Sequence, residues 1–168
     1  MKKYLLLLAV LLTGFFAQAQ TKVGTIDAEF ILGQLPEIST VEEGLKVYNT
    51  DLQGELQSTI KKYEDLVADY QATTESMTEE DRNKKENEII SLENDIKNFR
   101  QKASVLLQMR RNELTKPLYE KIDGAMKEVI REQKYTQIIN ASANALAYAD
   151  PAHDITDAVL EKLGITAE

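Results

Sequence analysis

The fold is decided by residues 55–116, which read ELQSTIKKYEDLVADYQATTESMTEEDRNKKENEIISLENDIKNFRQKASVLLQMRRNELTK. These 62 residues contain no glycine and no proline, although both types occur on either side of the stretch. Because glycine and proline loosen or break helices, their absence over such a length favours sustained helix. The sequence therefore predicts a protein that consists mainly of long α-helices.

The apolar residues around the start of this stretch follow the period of a helix. Ten of them recur over 32 residues in nine steps, a mean of about 3.6, which is the α-helical period. Pro36 ends the preceding segment, and Ser39 or Thr40 could cap the start of the first helix. The stripe consists of Ile38, Val41, Leu45, Tyr48, Leu52, Leu56, Ile60, Tyr63, Val67 and Tyr70.

A second helix is predicted after a short polar turn. The stripe is lost at residues 71–76, and Thr78 then supplies a capping hydroxyl ahead of the acidic residues 79–81. The second stripe breaks at Arg110 and consists of Ile89, Leu92, Ile96, Phe99, Ala103 and Leu106, then Leu114, Leu118, Ile122, Ala125 and Val129. Two long helices joined by a short turn fold back on each other.

The predicted hairpin is an antiparallel arm of residues 38–116 with its tip near 74–80. If the turn centres near residue 77, the numbers of facing residues add to about 154, by counting along two antiparallel helices. Pro117 then lies level with Pro36, so both prolines mark the place where the arm meets another part of the protein. At 1.5 Å per residue the arm is roughly 57 Å long.

The two ends of the chain differ from the arm and predict a small β body. Residues 22–27 (KVGTID), 135–140 (YTQIIN) and 145–149 (ALAYA) predict strands, with Asn144 in the turn between the last two. Residues 154–157 (DITD) predict the cap of a closing helix that ends at Leu163, with Gly164 as its stop. Three strands leave two open edges, which association with other copies would cover.

The oligomerisation body is thus assigned to residues 20–37 and 117–168. Its predicted strand residues are Val23, Ile26, Ile138, Ile139, Leu146 and Tyr148.

The first nineteen residues predict export. Lys2 and Lys3 precede the apolar run 5–16, and residues 17–19 (AQA) form a small-x-small cleavage site. A membrane-spanning helix needs roughly 20 apolar residues, so a signal peptide cleaved between Ala19 and Gln20 is favoured over a permanent anchor. Cleavage leaves 149 residues with 18 basic and 28 acidic side chains, a balance that argues against nucleic-acid binding.

The sequence has few of the residues that catalysis or metal binding commonly requires. The single histidine, His153, lies in the polar stretch 150–154 (DPAHD), and the chain has no cysteine. A metal usually needs three or four ligands at known spacing, so His153 is interpreted as a solvated loop residue. With no phosphate-binding loop or nucleophile elbow, we expect neither an enzyme nor a bound cofactor or metal.

Four features follow one another along the chain: residues 23–27 (VGTID), the apolar 30–32 (FIL), the hairpin without glycine or proline, and 154–157 (DITD) ahead of 159–163 (VLEKL). In this order they resemble the Skp (OmpH-like) periplasmic chaperones of Gram-negative bacteria. The resemblance implies a homotrimer with a small β-barrel-like body and three helical tentacles around a cavity. It also implies a holdase that keeps unfolded outer-membrane proteins soluble in the periplasm without ATP.

Charge is where the chain departs from that family. Well-known members are strongly basic, whereas residues 60–100 carry seven basic and eleven acidic side chains here. No lipopolysaccharide-binding residue is therefore carried over, and contact with a membrane surface stays open. A structural coiled-coil spacer of the cell envelope that binds no client is the alternative function.

The arm has more apolar residues than one seam between two helices can use. Leu66 lies beside Val67, Ile90 lies beside Ile89, and neighbours in a helix point about 100° apart. Either the stripe is broad and buried against neighbouring arms, or the surplus forms an adaptable lining for clients. The candidate client-binding residues are Leu66, Met77, Ile90, Val105, Leu107 and Met109.

Three helix-weakening residues cluster toward the base of the arm: Gly44, Gly54 and Pro117. Since the numbers of facing residues add to about 154, Gly44 is predicted to lie opposite Arg110, where the second stripe is interrupted. The glycines permit either close packing of the two helices or bending of the arm. The second interpretation predicts a hinge that adjusts the cavity to clients of different size.

Overall fold

A computed structural model describes residues 21–142 and 146–166 of the chain. The predicted signal peptide and the turn residue Asn144 lie outside these residues. The elements are β1 (Val23–Ile26), α1 (Ala28–Gln34), α2 (Ile38–Thr73), α3 (Glu79–Gln133), β2 (Gln137–Asn140) and α4 (Thr156–Lys162). Short 3₁₀ turns occupy Thr74–Ser76 and Pro151–His153. The prediction of a mainly α-helical protein with a small β part is confirmed.

The chain forms two compact units. One, here called the body, combines the N-terminal part up to Gln34 with the residues from Lys121 onwards. The other, here called the hairpin, is Leu35–Glu120.

The sheet of the body consists of two strands that pair in parallel. Val23 lies opposite Gln137, and Ile26 lies opposite Asn140. On its other side β1 meets the segment before α4, where Ile155 donates its backbone N–H to the Thr25 carbonyl at 2.9 Å. Helices α1 and α4 pack against each other in the same unit. The best-buried apolar side chains of the body are Ile31, Val129, Ile155, Val159 and Leu160, which form its core.

The strand predicted at 145–149 is wrong for residues 146–149, which the structure places outside any strand. Leu146 is half-buried, and Tyr148 is 81% exposed. The edge of β1 is instead contacted by residues 154 and 155, through a parallel bridge between Thr25 and Asp154. Which segment pairs with β1 depends on how the chain returns from α3, and local alternation of side chains does not contain that information.

The predicted closing helix is confirmed as α4. Asp154 accepts the backbone N–H of Thr156 through Oδ1 at 2.9 Å, so one of the first free donors of the helix is satisfied. At the other end Gly164 has φ 75°, the left-handed conformation that commonly follows a helix.

A polar cluster joins the start of α1 to the C-terminal half of the body. Asp27 accepts the backbone N–H of Phe30 and the hydroxyl of Ser142 through Oδ1, each at 2.9 Å. Its own backbone N–H donates to Thr156 Oγ1 at 2.9 Å. The bonds from Phe30 and then Ser142 lower the pKa of Asp27, because they favour its charged form.

Gly24 is the position where the body has no room for a side chain. A Cβ at this residue would lie 2.7 Å from Tyr135 Cε1 and 2.9 Å from the carbonyl oxygen of His153. Because one of these neighbours is backbone, rotation of a side chain does not relieve the overlap.

Gly24→Ala should therefore destabilise the body by about 1–3 kcal/mol, the usual cost of overpacking. Gly124→Ala is the matched control, since Gly124 lies within α3 and a Cβ there meets nothing within 4 Å. That control should gain roughly 1 kcal/mol from higher helix propensity. Urea unfolding followed by circular dichroism measures both changes, and equal stability of the two variants would contradict the steric argument.

Candidate functional site

The hairpin is closed by a seam of half-buried and buried residues. Every residue of the two predicted stripes that belongs to the hairpin is buried or half-buried. Arg110, where the second stripe was expected to break, lies in the seam beneath Tyr48. Its guanidinium carbon is 6.0 Å from the centre of the tyrosine ring, and Nη1 is 2.7 Å from Glu113. Helix α3 continues without interruption through Arg110 and Pro117.

Polar pairs across the hairpin fix the register of its distal half. Tyr63 donates its hydroxyl to Glu93 at 2.8 Å, Tyr70 donates to Glu86, and Lys85 pairs with Asp69. In each of these pairs, and in the pair of Tyr48 and Arg110, the two residue numbers add to between 154 and 158. The prediction that the numbers of facing residues add to about 154 is thus confirmed within four residues. The bond to Glu93 raises the pKa of Tyr63, because deprotonation would place two anions together.

Burial in the hairpin is concentrated near its base. The buried residues of this unit are Leu35, Val41, Leu52, Thr115 and Leu118. Between residues 53 and 114 no residue is fully buried. Since two helices can cover only one stripe of each other, the distal part keeps its apolar side chains partly in contact with solvent.

Three of the six candidate binding residues are clearly exposed. Ile90 is 53% exposed, Val105 58% and Met109 62%, so these side chains are not used by the seam. Leu66, Met77 and Leu107 are half-buried. Val47, which is 56% exposed, was missed by the sequence analysis. The same signal could have found it, because Val47 lies next to the seam residue Tyr48.

A groove follows one side of the hairpin and is here called groove 1. It consists of two depressions of about 490 and 630 Å³. Ile60 and Ile96 lie in the distal depression, and Leu45 and Leu107 lie in the proximal one. The α3 residues along it are Lys97, Arg100, Ser104, Leu107 and Arg111, spaced three and four apart. Such spacing places them on one face of the helix.

A second groove, here called groove 2, follows another side of the hairpin. Its depressions measure about 420 and 530 Å³. The α3 residues along it include Asp95, Lys102, Leu106, Met109 and Glu113, again three and four apart or seven apart. Exposed Met109 therefore belongs to groove 2.

The proposed hinge residues have different surroundings. A Cβ at Gly44 would lie 3.2 Å from Leu114 Cδ1, so Gly44 faces Leu114 and not Arg110, the residue predicted from the sum of facing residue numbers. At Gly54 a Cβ would meet nothing within 4 Å. Close packing thus explains Gly44, whereas nothing around Gly54 requires a glycine.

His153 is an exposed residue of the body, and its ring meets the Tyr135 ring edge-on at 6.5 Å between centroids. Lys22 Nζ lies 3.9 Å from the centre of the same tyrosine ring, a cation–π contact.

Within residues 21–142 and 146–166 no group of three or more His, Cys, Asp or Glu side chains is placed to hold a metal ion. The same residues contain no helix that is both long and apolar enough to cross a membrane.

A small body and a long helical hairpin with exposed apolar side chains define a class of helical-hairpin proteins. Comparison with known proteins narrows the class. The family described as "Outer membrane protein (OmpH-like)" matches residues 22–163. The chain therefore belongs to the OmpH-like family, which is a family of chaperones and not of enzymes.

One curated relative and one solved structure are similar to this chain. The chain is 32% identical over 152 residues to "Chaperone protein Skp" of Yersinia enterocolitica, which covers 84% of this chain and 85% of the relative. A putative OmpH-like outer membrane chaperone from Caulobacter crescentus has a similar crystal structure, with a TM-score of 0.63 at 17% identity. That likeness covers 90% of each chain and supports the fold.

Proposed function

We propose that this protein is a periplasmic holdase chaperone that binds unfolded outer-membrane proteins and keeps them from aggregating without ATP. The family supports a chaperone role, and the relative from Yersinia enterocolitica is a chaperone by name. The surface of the hairpin supports the more specific role in client binding.

The observation that carries the proposal is the exposure of Val47, Ile90, Val105 and Met109 outside the seam. Val105 and Met109 are four residues apart on α3, so they lie on one face of the helix, and contiguous exposed apolar surface commonly marks a site of interaction. Together with Val47 and Ile90 they offer weak contacts of no fixed shape. Such contacts suit a partner without fixed structure, and the flexible thioether of Met109 adapts to different neighbours.

The function predicts that Ile90→Gln, Val105→Gln and Met109→Gln together reduce protection of an unfolded outer-membrane barrel protein by severalfold. Folding should be unaffected, because all three side chains are exposed and glutamine forms helix at least as well as isoleucine or valine. Light scattering after dilution of the barrel protein from denaturant measures protection.

Asn83→Gln, Asn87→Gln and Asn94→Gln form the matched control, since they change three exposed polar residues of the same helix. The control should protect as well as the parent. A parent protein that leaves the scattering unchanged would refute the holdase and favour the structural spacer.

The body is proposed to assemble as a homotrimer. In the described residues β2 has β1 as its neighbouring strand and none on its outer edge. An open edge and a two-stranded sheet are both weak points that pairing with other copies removes. Val23, Phe30 and Tyr148, exposed by 37%, 47% and 81%, are apolar surface that such assembly can cover. The number three comes from the family resemblance.

Sedimentation equilibrium of the mature chain at micromolar concentration should return about three chain masses. The triple glutamine variant of the hairpin should return the same value, because its substitutions lie outside the body. A monomeric parent would contradict the trimer.

Bending near Gly54 is proposed to let the arm adapt to clients of different size. Gly54→Ala should raise stability by roughly 1 kcal/mol, because its Cβ meets open space. Gly44→Ala should gain less, since Leu114 must move. If bending matters, Gly54→Ala also narrows the size range of clients that scattering shows to be protected. An unchanged range in the stiffened variant would exclude the hinge.

A further inference from the structure

We propose that groove 1 binds extended client segments that alternate apolar with acidic side chains, about one strand of a barrel at a time. The inference rests on the holdase function and adds the site and the chemistry of the segment. It also distinguishes groove 1 from groove 2, which the family assignment does not.

The length of groove 1 fits one strand. From Glu93 to Arg111 the helix rises about 27 Å at 1.5 Å per residue. An extended chain advances about 3.3 Å per residue, so the groove accommodates roughly eight residues. A strand that crosses a membrane in a barrel has about 9–11 residues.

The floor of groove 1 is apolar. Leu45, Ile60, Ile96 and Leu107 are each half-buried, so they keep part of their apolar surface open to the groove. In an extended chain alternate side chains point to opposite faces. One face of a bound segment can therefore contact this floor while the other face stays at the rim.

The side of groove 1 formed by α3, here called its α3 rim, carries cations that form no ion pair. Lys97, Arg100 and Arg111 line the groove, and none of them pairs with a carboxylate in the part of the chain that the structure describes. Glu93 on this rim accepts the hydroxyl of Tyr63. The α2 side of the groove carries Lys46 together with Glu42 and Glu64, so four cations meet three acids along groove 1. The long stems of lysine and arginine allow their charged ends to reach over a bound segment.

Groove 2 is different in charge. Arg110 is paired with Glu113 there, and the remaining cations, Lys62 and Lys102, are matched in number by the acids Glu55 and Asp95. On an arm whose residues 60–100 carry more acidic than basic side chains, the excess of cations over acids along groove 1 makes it the side that suits an acidic segment. Barrel strands alternate apolar and polar residues, which is the pattern that the floor and rim require.

The test uses a fluorescent nine-residue peptide that alternates valine with glutamate, and its binding to the full-length mature protein is measured by anisotropy. Lys97→Gln with Arg100→Gln removes two exposed cations of groove 1. Lys62→Gln with Lys102→Gln removes two exposed cations of groove 2, so both variants change net charge equally.

The groove 1 variant should bind the peptide about fivefold more weakly, the size expected for two exposed ion pairs. The groove 2 variant should bind like the parent, and in about 1 M salt, where the Debye length is about 3 Å, the difference should vanish. The corresponding valine–lysine peptide should bind the parent more weakly than the glutamate peptide does.

If both variants weaken peptide binding equally, or if neither variant weakens it, the assignment to groove 1 is wrong. The scattering assay with an unfolded barrel protein separates this outcome from failure of the function. If the parent protects the barrel protein but both variants bind the peptide alike, the protein is a holdase and the assignment to groove 1 is wrong. A parent that neither protects nor binds the peptide refutes both.

Discussion

Two helices packed side by side can bury only one stripe of each other, and this constraint governs the hairpin. The stripes of α2 and α3 meet in a seam that is buried near Val41, Leu52 and Leu118 and half-exposed farther out. No third layer covers the distal part within Leu35–Glu120. Stability there depends on continuous helix formation and on half-buried apolar contacts, so glycine and proline are absent from residues 55–116.

Polar pairs complement the seam where burial is weakest. Tyr63 with Glu93 and Lys85 with Asp69 define which residues face each other, whereas apolar contacts alone tolerate a shift by one turn. Each exposed pair contributes little to stability. Their value is in fixing the register, which in turn aligns the rows of side chains that line the two grooves.

The same constraint determines which apolar surface stays exposed. Apolar residues next to the seam, such as Ile90 and Val105, have no place between the helices and stay exposed. The grooves beside the seam add half-buried apolar floors with charged rims. A hairpin that cannot bury all its apolar side chains thus keeps adaptable apolar surface exposed along its length.

Much of the hairpin and part of its exposed apolar surface could be predicted from the sequence. Helical period, the polar turn near residue 77 and the sum of facing residue numbers predicted the seam from Ile38 to Leu118, because they depend on local propensity and on the geometry of one turn. The exposure of Ile90 and Val105 followed from counting residues beyond one stripe. Gly164 and Asp154 marked the limits of α4 through local backbone chemistry.

Tertiary structure decided the pairing in the body and the grooves. Residues 145–149 looked like a strand, but the backbone around Asp154 bridges to β1, since the return path of the chain determines which segment reaches that edge. Gly24 is required by Tyr135, which is more than a hundred positions away in the chain. Likewise, only the packed hairpin shows that Arg110 is paired while Lys97 and Arg100 are free, because ion pairing depends on distances between side chains that helical spacing alone does not determine.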